Sequence, residues 1–357
     1  MHKGRWVLVA ALVAALVAAG AAAAMTRNTG SPAGASRSEA RTRITMMIGG
    51  INKIIYATAT LAKQLGYYEK AGVDVYPIDS PAGVEEADAL VAGQIDAAMG
   101  YYNHTIDLQS KGKSVECVVQ IGLTPGHAVL VPPNSSIHSA ADFKGKTLGI
   151  TGTGSSTDFE LQYLADKAGV KASQFTRLPV GAGQTFIAAL QHGQIDGGIT
   201  SQPTIQTLVS AGQAKVLIDL QNLAETQKAF GGAWPSTCVY MRSDYVSTHK
   251  DGVQKLVTAI VWTLKWMNSH TSAQVAARLP ATYVPSNNMD LYVKAWDASK
   301  TFYSTTGLMP KTGPKTMLRF LTAFTPDLAG KHIDLAKTYT NAFVLKAQKL
   351  KLPKPKG

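Results

Sequence analysis

Cysteine occurs only twice in the 357 residues, at Cys117 and Cys238, so a disulfide-stapled scaffold is excluded and the fold must rest on a buried core. Both cysteines sit in strand-like stretches, "ECVVQI" and "STCVYM", and whether they pair is open, because a bridge needs close Cα atoms. The 8 histidines are scattered, with no i,i+4 pair and no His/Cys cluster at ligand spacing, so no metal site is expected. Also missing are a G-x-S-x-G elbow, a phosphate-binding P-loop and an H-E-x-x-H helix, which removes the commonest signals of hydrolytic and nucleotide chemistry. Charged residues are sparse at 16%, and beyond residue 24 no apolar run approaches a membrane span.

What is present begins with the N-terminus. Lys3 and Arg5 precede the apolar run "WVLVAALVAALVAAG", and the small residues "AAAA" follow it. That three-part order is a secretory signal peptide over residues 1–24 with cleavage near Ala24; the alternative is an uncleaved anchor. No cysteine lies near the cleavage point to carry a lipid. Residues 25–42, which include "TRNTGSPAGASRSEAR", have no apolar periodicity and read as a flexible leader. The expectation is a soluble protein of the periplasm.

Formal charge is +12, and five lysines crowd the C-terminal "LKAQKLKLPKPKG". Aromatics are not interleaved with that tail as a base-stacking platform requires, so a solvated tail is expected and no nucleic-acid partner.

The tetrapeptide "GQID" occurs at residues 93–96 and again at 193–196. The same order of elements surrounds each copy. In the first unit "ITMMI" alternates as a strand, "GGIN" breaks it, "KIIYATATLAKQLG" has helical periodicity, "GVDVYPI" is a strand, "GVEEADALVAG" a helix and "QIDAAMG" a strand. The second runs "KTLGIT", "GTGSSTD", a helix with Leu161, Leu164, Ala165 and Ala168 on one face, "FTRLPV", "GAGQTFIAALQHG" and "QIDGGIT". Alternating strands and helices make parallel βαβ units, so the fold class is α/β with two lobes, each a mainly parallel sheet flanked by helices. Gly93 and Gly193 are expected to end helices, and Asp96 and Asp196 to bond backbone amides in the helix-to-strand turn. A catalytic Asp pair is disfavoured because ligands meet the carboxyl ends of parallel strands and these residues precede theirs.

An ordered set of these segments, "LAKQLGYYEKAGVDV", "ALVAGQIDAAMG", "GHAVLVPPNSSIHSAADFKGKTLGI", "GTGSSTDFELQYLADKAGV" and "ALQHGQIDGGIT", resembles the periplasmic solute-binding proteins of ABC importers, of the nitrate/sulfonate/taurine type. The resemblance covers residues 44–245 well and the helical remainder loosely. It implies the type II binding-protein fold: lobe one from residues 43–133 and 236–357, lobe two from 134–235, "HAVLVPP" and "STCVYMRSDYV" as crossing segments, and a helical C-terminal part packed on lobe one. It also implies hinge closure with bends near Pro133 and Trp234, a small-molecule solute as ligand, and an importer permease of the inner membrane as partner. A monomer is expected.

Five loops fall at strand carboxyl ends and supply the candidate ligand residues. Asn52 and Lys53 follow the first strand, and Lys53 can complement an acid. Tyr101, Tyr102 and His104, with Asn103 between, offer flat apolar surface and polar tips for the body of an organic ligand. Gly154, Ser155, Ser156 and Thr157 open a helix, where free amides and hydroxyls suit an anion. Capping boxes are expected there as Thr157 with Glu160 or Ser155 with Asp158, and those two acids count against an anion. Gly183, Gln184, Ser201 and Gln202 complete the set, on loops that the resemblance implies touch ligand.

No cofactor is expected, since "GTGSST" lacks the third small residue of a dinucleotide fingerprint. Binding without chemistry is the reading carried forward. Two alternatives stand beside it: an exported receptor for a sensor, and an enzyme of the same fold acting on a pyrimidine-like substrate. The thiamin-precursor synthases that share the fold carry a cysteine-rich motif absent here.

Overall fold

The computed structural model describes residues 41–325, 328 and 330–357, and residues 41–357 form one compact unit. The signal peptide and leader expected over residues 1–42 lie almost wholly outside the described residues. Among those described, no helix is long and apolar enough to cross a membrane.

Among the described residues ten strands form two five-stranded sheets. Sheet one takes β1 (Thr42–Ile48), β2 (Val73–Asp79), β3 (Ala97–Tyr101), β4 (Val115–Gln120) and β10 (Thr237–Arg242), in the order β2-β1-β3-β10-β4. Sheet two takes β5 (His127–Val131), β6 (Thr147–Ile150), β7 (Thr176–Pro179), β8 (Gly197–Ser201) and β9 (Lys215–Asp219), in the order β7-β6-β8-β5-β9. In each sheet the βαβ strands run parallel and one strand is reversed: β10 is antiparallel to β3 and β4, and β5 to β8 and β9. The reversed strand is the first to follow a crossing between sheets. The crossings lie at the carboxyl ends of the other strands, so a chain arriving there can only run back against them.

The first crossing comes earlier than residue 133. His127–Val131 pairs on both sides within sheet two, so the chain crosses at residues 121–126; it returns through Trp234 and Ser236 into β10.

The repeated tetrapeptide ties each unit shut. Gly93 and Gly193 have φ of 74° and 67°, the left-handed region that ends a helix without a Cβ clash. Asp96 accepts the Thr45 amide at 2.8 Å and returns its own amide to the Thr45 carbonyl at 3.0 Å. Asp196 does the same with Thr147, at 2.8 and 2.7 Å. The carboxylates therefore bond the neighbouring strand, the first of each unit, rather than their own turn.

Alternation explains sheet one: Ile44, Met46 and Ile48 are buried, with Thr45 and Met47 half-buried between them. Helix Lys250–Asn268 lays Val253, Leu256, Val257, Ile260, Val261 and Leu264 into this core. The last hundred residues also reach lobe two. Helix Gly313–Phe324 inserts Phe320 among Tyr163, Phe230 and Trp234, with ring centroids 4.9, 5.6 and 4.6 Å away. Cys117 and Cys238 are free, buried thiols, and burial and the adjacent Cys117 push the Cys238 thiol up.

Candidate functional site

β1, β3, β6 and β8 all point their carboxyl ends at the gap between the sheets, and reversed β5 starts there. Gly49, Tyr101, Thr151, Ser201 and His127, at those five ends, line a single narrow space. Lobe one adds Lys53, Ile55, Tyr56 and Gly83; lobe two adds Ser155, Ser156 and Thr157. The lobes touch across it: Ser156 Oγ donates to Asn103 Oδ1 at 2.7 Å, and the Ile54 amide to the Gln202 carbonyl at 3.1 Å.

Of the sequence-predicted residues, the space brings together Lys53, Tyr101, Ser155, Ser156, Thr157 and Ser201. Gln202 contributes its backbone bridge, while its side chain bonds Gln221 at 2.8 Å and the Gln206 amide at 3.0 Å. Gly154, two residues ahead of the helix, gives its amide to Asp158 at 2.8 Å. The others lie off the space. Successive strand residues face opposite sides, so as Tyr101 enters the gap Tyr102 turns away and its hydroxyl meets Thr338. His104 is buried beneath Gly83, and burial lowers it to about 4, which keeps the imidazole neutral. Asn52 and Gln184 are exposed, and Gly183 spends its amide on Thr204 Oγ1 at 3.1 Å.

Helix Ser156–Lys167 starts without a capping box in either register. Ser155 is the N-cap residue, but its hydroxyl makes no cap bond. It joins a knot with Thr157 Oγ1 at 2.8 Å and Thr151 Oγ1 at 3.0 Å, and Thr157 Oγ1 accepts the Thr151 amide at 3.0 Å. Asp158 in the first turn and Glu160 just beyond it are both taken up elsewhere. Asp158 pairs with Arg177 Nε at 2.5 Å, and Glu160 with His127 Nδ1 at 2.8 Å. The helix start thus faces the gap with its hydroxyls, and its carboxylates are engaged behind.

Lobe one supplies the cation. Lys53 Nζ donates to the Gly49 carbonyl at 2.5 Å and the Pro81 carbonyl at 3.3 Å. Burial lowers its ammonium to about 8, against the pull of Glu86, Asp79 and Glu85. Glu86 lies one layer behind the floor, fully buried in a cradle of three glycines. A Cβ on Gly100 would stand 1.5 Å from Glu86 Oε1, on Gly49 3.3 Å from Oε2, and on Gly83 3.4 Å from Oε1. Its oxygens lie near the Gly49 backbone and the Tyr240 hydroxyl but complete no hydrogen bond among the described residues, and burial pushes the carboxyl well up.

Sequence reasoning missed Tyr56, Thr151, His127 and Glu86. Thr151 follows the "TLGI" strand directly and was accessible to the carboxyl-end rule. His127 was hidden by placing the crossing after it. Among the described residues no cluster of three or more His, Cys, Asp or Glu could hold a metal.

The chain matches the NMT1/THI5-like family model over residues 55–273. It is 26% identical over 206 residues to 4-amino-5-hydroxymethyl-2-methylpyrimidine phosphate synthase of Schizosaccharomyces pombe, covering 56% of this chain and spanning only 58% of that relative's length. Among solved structures, one from Bordetella bronchiseptica RB50 superposes with a TM-score of 0.83 at 30% identity, covering 87% of this chain and 98% of that one. The alkanesulfonate-binding protein SsuA of Xanthomonas axonopodis pv. citri, bound to MOPS, superposes with a TM-score of 0.68 at 20% identity over 84% and 98% of the chains. The protein belongs to the NMT1/THI5-like family and has the two-lobed periplasmic-binding-protein fold.

Proposed function

We propose that the protein captures a small organic anion between its lobes in the periplasm, after removal of the signal peptide, and delivers it unchanged to an ABC importer permease. One observation carries the reading: a buried lysine on one lobe faces a hydroxyl-lined helix start on the other, across a gap that both lobes close. Lys53 and the Ser155–Ser156–Thr157 turn would grip the acidic head, as a helix N-terminus and an ammonium do together. Tyr56, Ile55 and Tyr101 would cover the body. The engagement of Asp158 with Arg177 and Glu160 with His127 answers the objection that those acids repel an anion.

A second reading, chemistry on a pyrimidine, rests on the name of the fission-yeast relative. One experiment separates the two. Sulfonates including MOPS and taurine, carboxylates, nitrate and pyrimidines are screened for a rise in melting temperature, and each hit is recovered and analysed. A ligand at about 100 times its Kd stabilises by about 2.7 kcal/mol. Unchanged recovery of an anion supports capture; a converted pyrimidine supports the enzyme.

The grip has its own test. Ser155→Ala with Ser156→Ala is expected to weaken an anionic hit by about 1–3 kcal/mol, the range for losing hydrogen bonds to a charged group. The same pair removes the Ser155 bonds to Thr151 and Thr157 and the Ser156 bond to Asn103, so the melting temperature of the free protein should also fall, and affinity is compared on folded protein. Unaltered affinity by calorimetry, with folding intact, removes the helix start from the site.

A further inference from the structure

Three buried side chains run in line along the wall of the gap, from lobe one into lobe two. Tyr101, at the end of β3, is 2% exposed; His127, the first residue of β5, 4%; and Glu160, on helix Ser156–Lys167, 1%. The Tyr101 hydroxyl donates to the Pro125 carbonyl in the crossing segment and lies 3.1 Å from His127 Nε2. The two rings stack with centroids 5.3 Å apart and planes 4° from parallel. On the far side of the imidazole, Nδ1 is 2.8 Å from Glu160 Oε2.

Counting hydrogens fixes more than the distances do. A carbonyl oxygen can only accept and a tyrosine has one hydroxyl hydrogen, so the contact with Pro125 consumes it. The His127 Nε2 contact must then be filled by a hydrogen on the imidazole, donated to the tyrosine oxygen. Nδ1 faces a carboxylate oxygen, and that contact needs a second hydrogen, carried by Nδ1 or by Oε2. A neutral tyrosine, a neutral imidazole and a bare carboxylate own two between them, whereas the three contacts require three.

We propose that Tyr101, His127 and Glu160 form a proton-holding chain in the wall of the closed gap, retaining one proton more than the same three groups hold as neutral tyrosine, neutral imidazole and free carboxylate. His127 then has no acceptor nitrogen to offer a ligand, and the Glu160 charge is neutralised within the chain instead of opposing an anion. That makes His127 and Glu160 positioning residues that bias the gap toward acidic ligands; this last clause rests on the proposed function, while the proton count does not.

The charged and titratable groups around the chain leave the count unchanged. From lobe one these are Tyr56, edge-on to Tyr101 at 6.4 Å, with Glu86 and Lys53 behind it. On the helix of Glu160, Asp158 is committed to Arg177. Asp219, at the end of β9 next to β5, is committed to Gln221 and Asn222.

The test is nitrogen NMR of the ligand-free protein labelled at histidine, near neutral pH, with His127→Gln identifying the signal. If that variant does not fold, backbone-linked assignment of the unaltered protein serves. The expected result is a hydrogen on Nε2, plus one further exchange-protected proton at the His127–Glu160 contact that is lost in Glu160→Gln. A bare Nε2 with hydrogen on Nδ1 alone would overturn the proposal, since the chain would then hold only two protons. Repeating the measurement with MOPS present distinguishes the failures: if MOPS and the other anions never bind, the anion reading fails while the proton count still stands on the spectrum of the free protein.

Discussion

The variant Gly100→Ala is expected to unfold at clearly lower denaturant, losing about 3 kcal/mol, the upper part of the range for overpacking a close-fitted interior. The added methyl would stand 1.5 Å from Glu86 Oε1 and 2.7 Å from its carboxyl carbon, with the Tyr240 ring 3.2 Å away on the other side. No small shift relieves this, because the carboxyl is also enclosed by Gly49 and Gly83 and is fully buried. The cause is confirmed by rescue. Glu86→Ala vacates the space the methyl needs, so Gly100→Ala with Glu86→Ala should be more stable than the two single losses add up to, by at least about 1 kcal/mol. Strict additivity in denaturant titrations would mean that Glu86 does not occupy the room above Gly100.

Replacing Lys53 by Met should have the opposite effect on stability. Burial lowers the Lys53 ammonium from 10.5 to about 8, so between those values the unfolded chain holds more protons at this position than the folded one. Stability therefore rises with pH across that window, and below it the buried ammonium costs about 3 kcal/mol, at 1.36 kcal/mol for each pH unit. Lys53→Met removes the charge and keeps the length. At pH 7 the variant is expected to be more stable by about 3 kcal/mol or somewhat less, allowing for the two carbonyls that lose their donor. The difference should shrink as pH rises from 8 toward 10.5. Loss of the Lys53 charge also lets burial push the Glu86 carboxyl further up, so the difference between the two profiles reads both groups together. Denaturant midpoints between pH 6 and 10 check this, and a less stable Lys53→Met at pH 7 would sink it. The same variant should lose at least about tenfold in affinity for an anionic hit, since a charge-assisted hydrogen bond is worth 1.5–3 kcal/mol.

These two sites show what could be read in the chain and what could not. The lobes were legible because their signals are local. "ITMMI" alternates, "GQID" ends a helix and starts a strand, and a break follows each strand where ligands meet parallel sheets. Lys53, Tyr101 and the Ser155–Ser156–Thr157 turn followed from that rule. Tyr102 did not belong with Tyr101, and the two-residue period of a strand was enough to divide them. The cradle of Glu86 was beyond reach: Gly49, Gly83 and Gly100 are scattered along the chain, and only the packed sheet shows that one carboxyl touches all three. The same holds for Tyr101, His127 and Glu160, and for Phe320 in the aromatic cluster of lobe two. Those contacts come from how elements pack, which periodicity within an element does not encode.

The route of the chain through the sheets also sets an order of assembly. Every strand of sheet two comes from one uninterrupted stretch, from His127 to Asp219, and can pair as soon as that stretch is available. Sheet one is different. Among the described residues its β4 has no partner in the sheet except β10, which arrives more than a hundred residues later, with Cys238 meeting Gln120. Until then β3 has a bare edge and β4 is unpaired, and closing that long loop is the entropically expensive step. A chain emerging N-terminus first thus completes its second sheet before its first, and in the interval the exposed edge of β3 is the segment most open to pairing with the wrong chain.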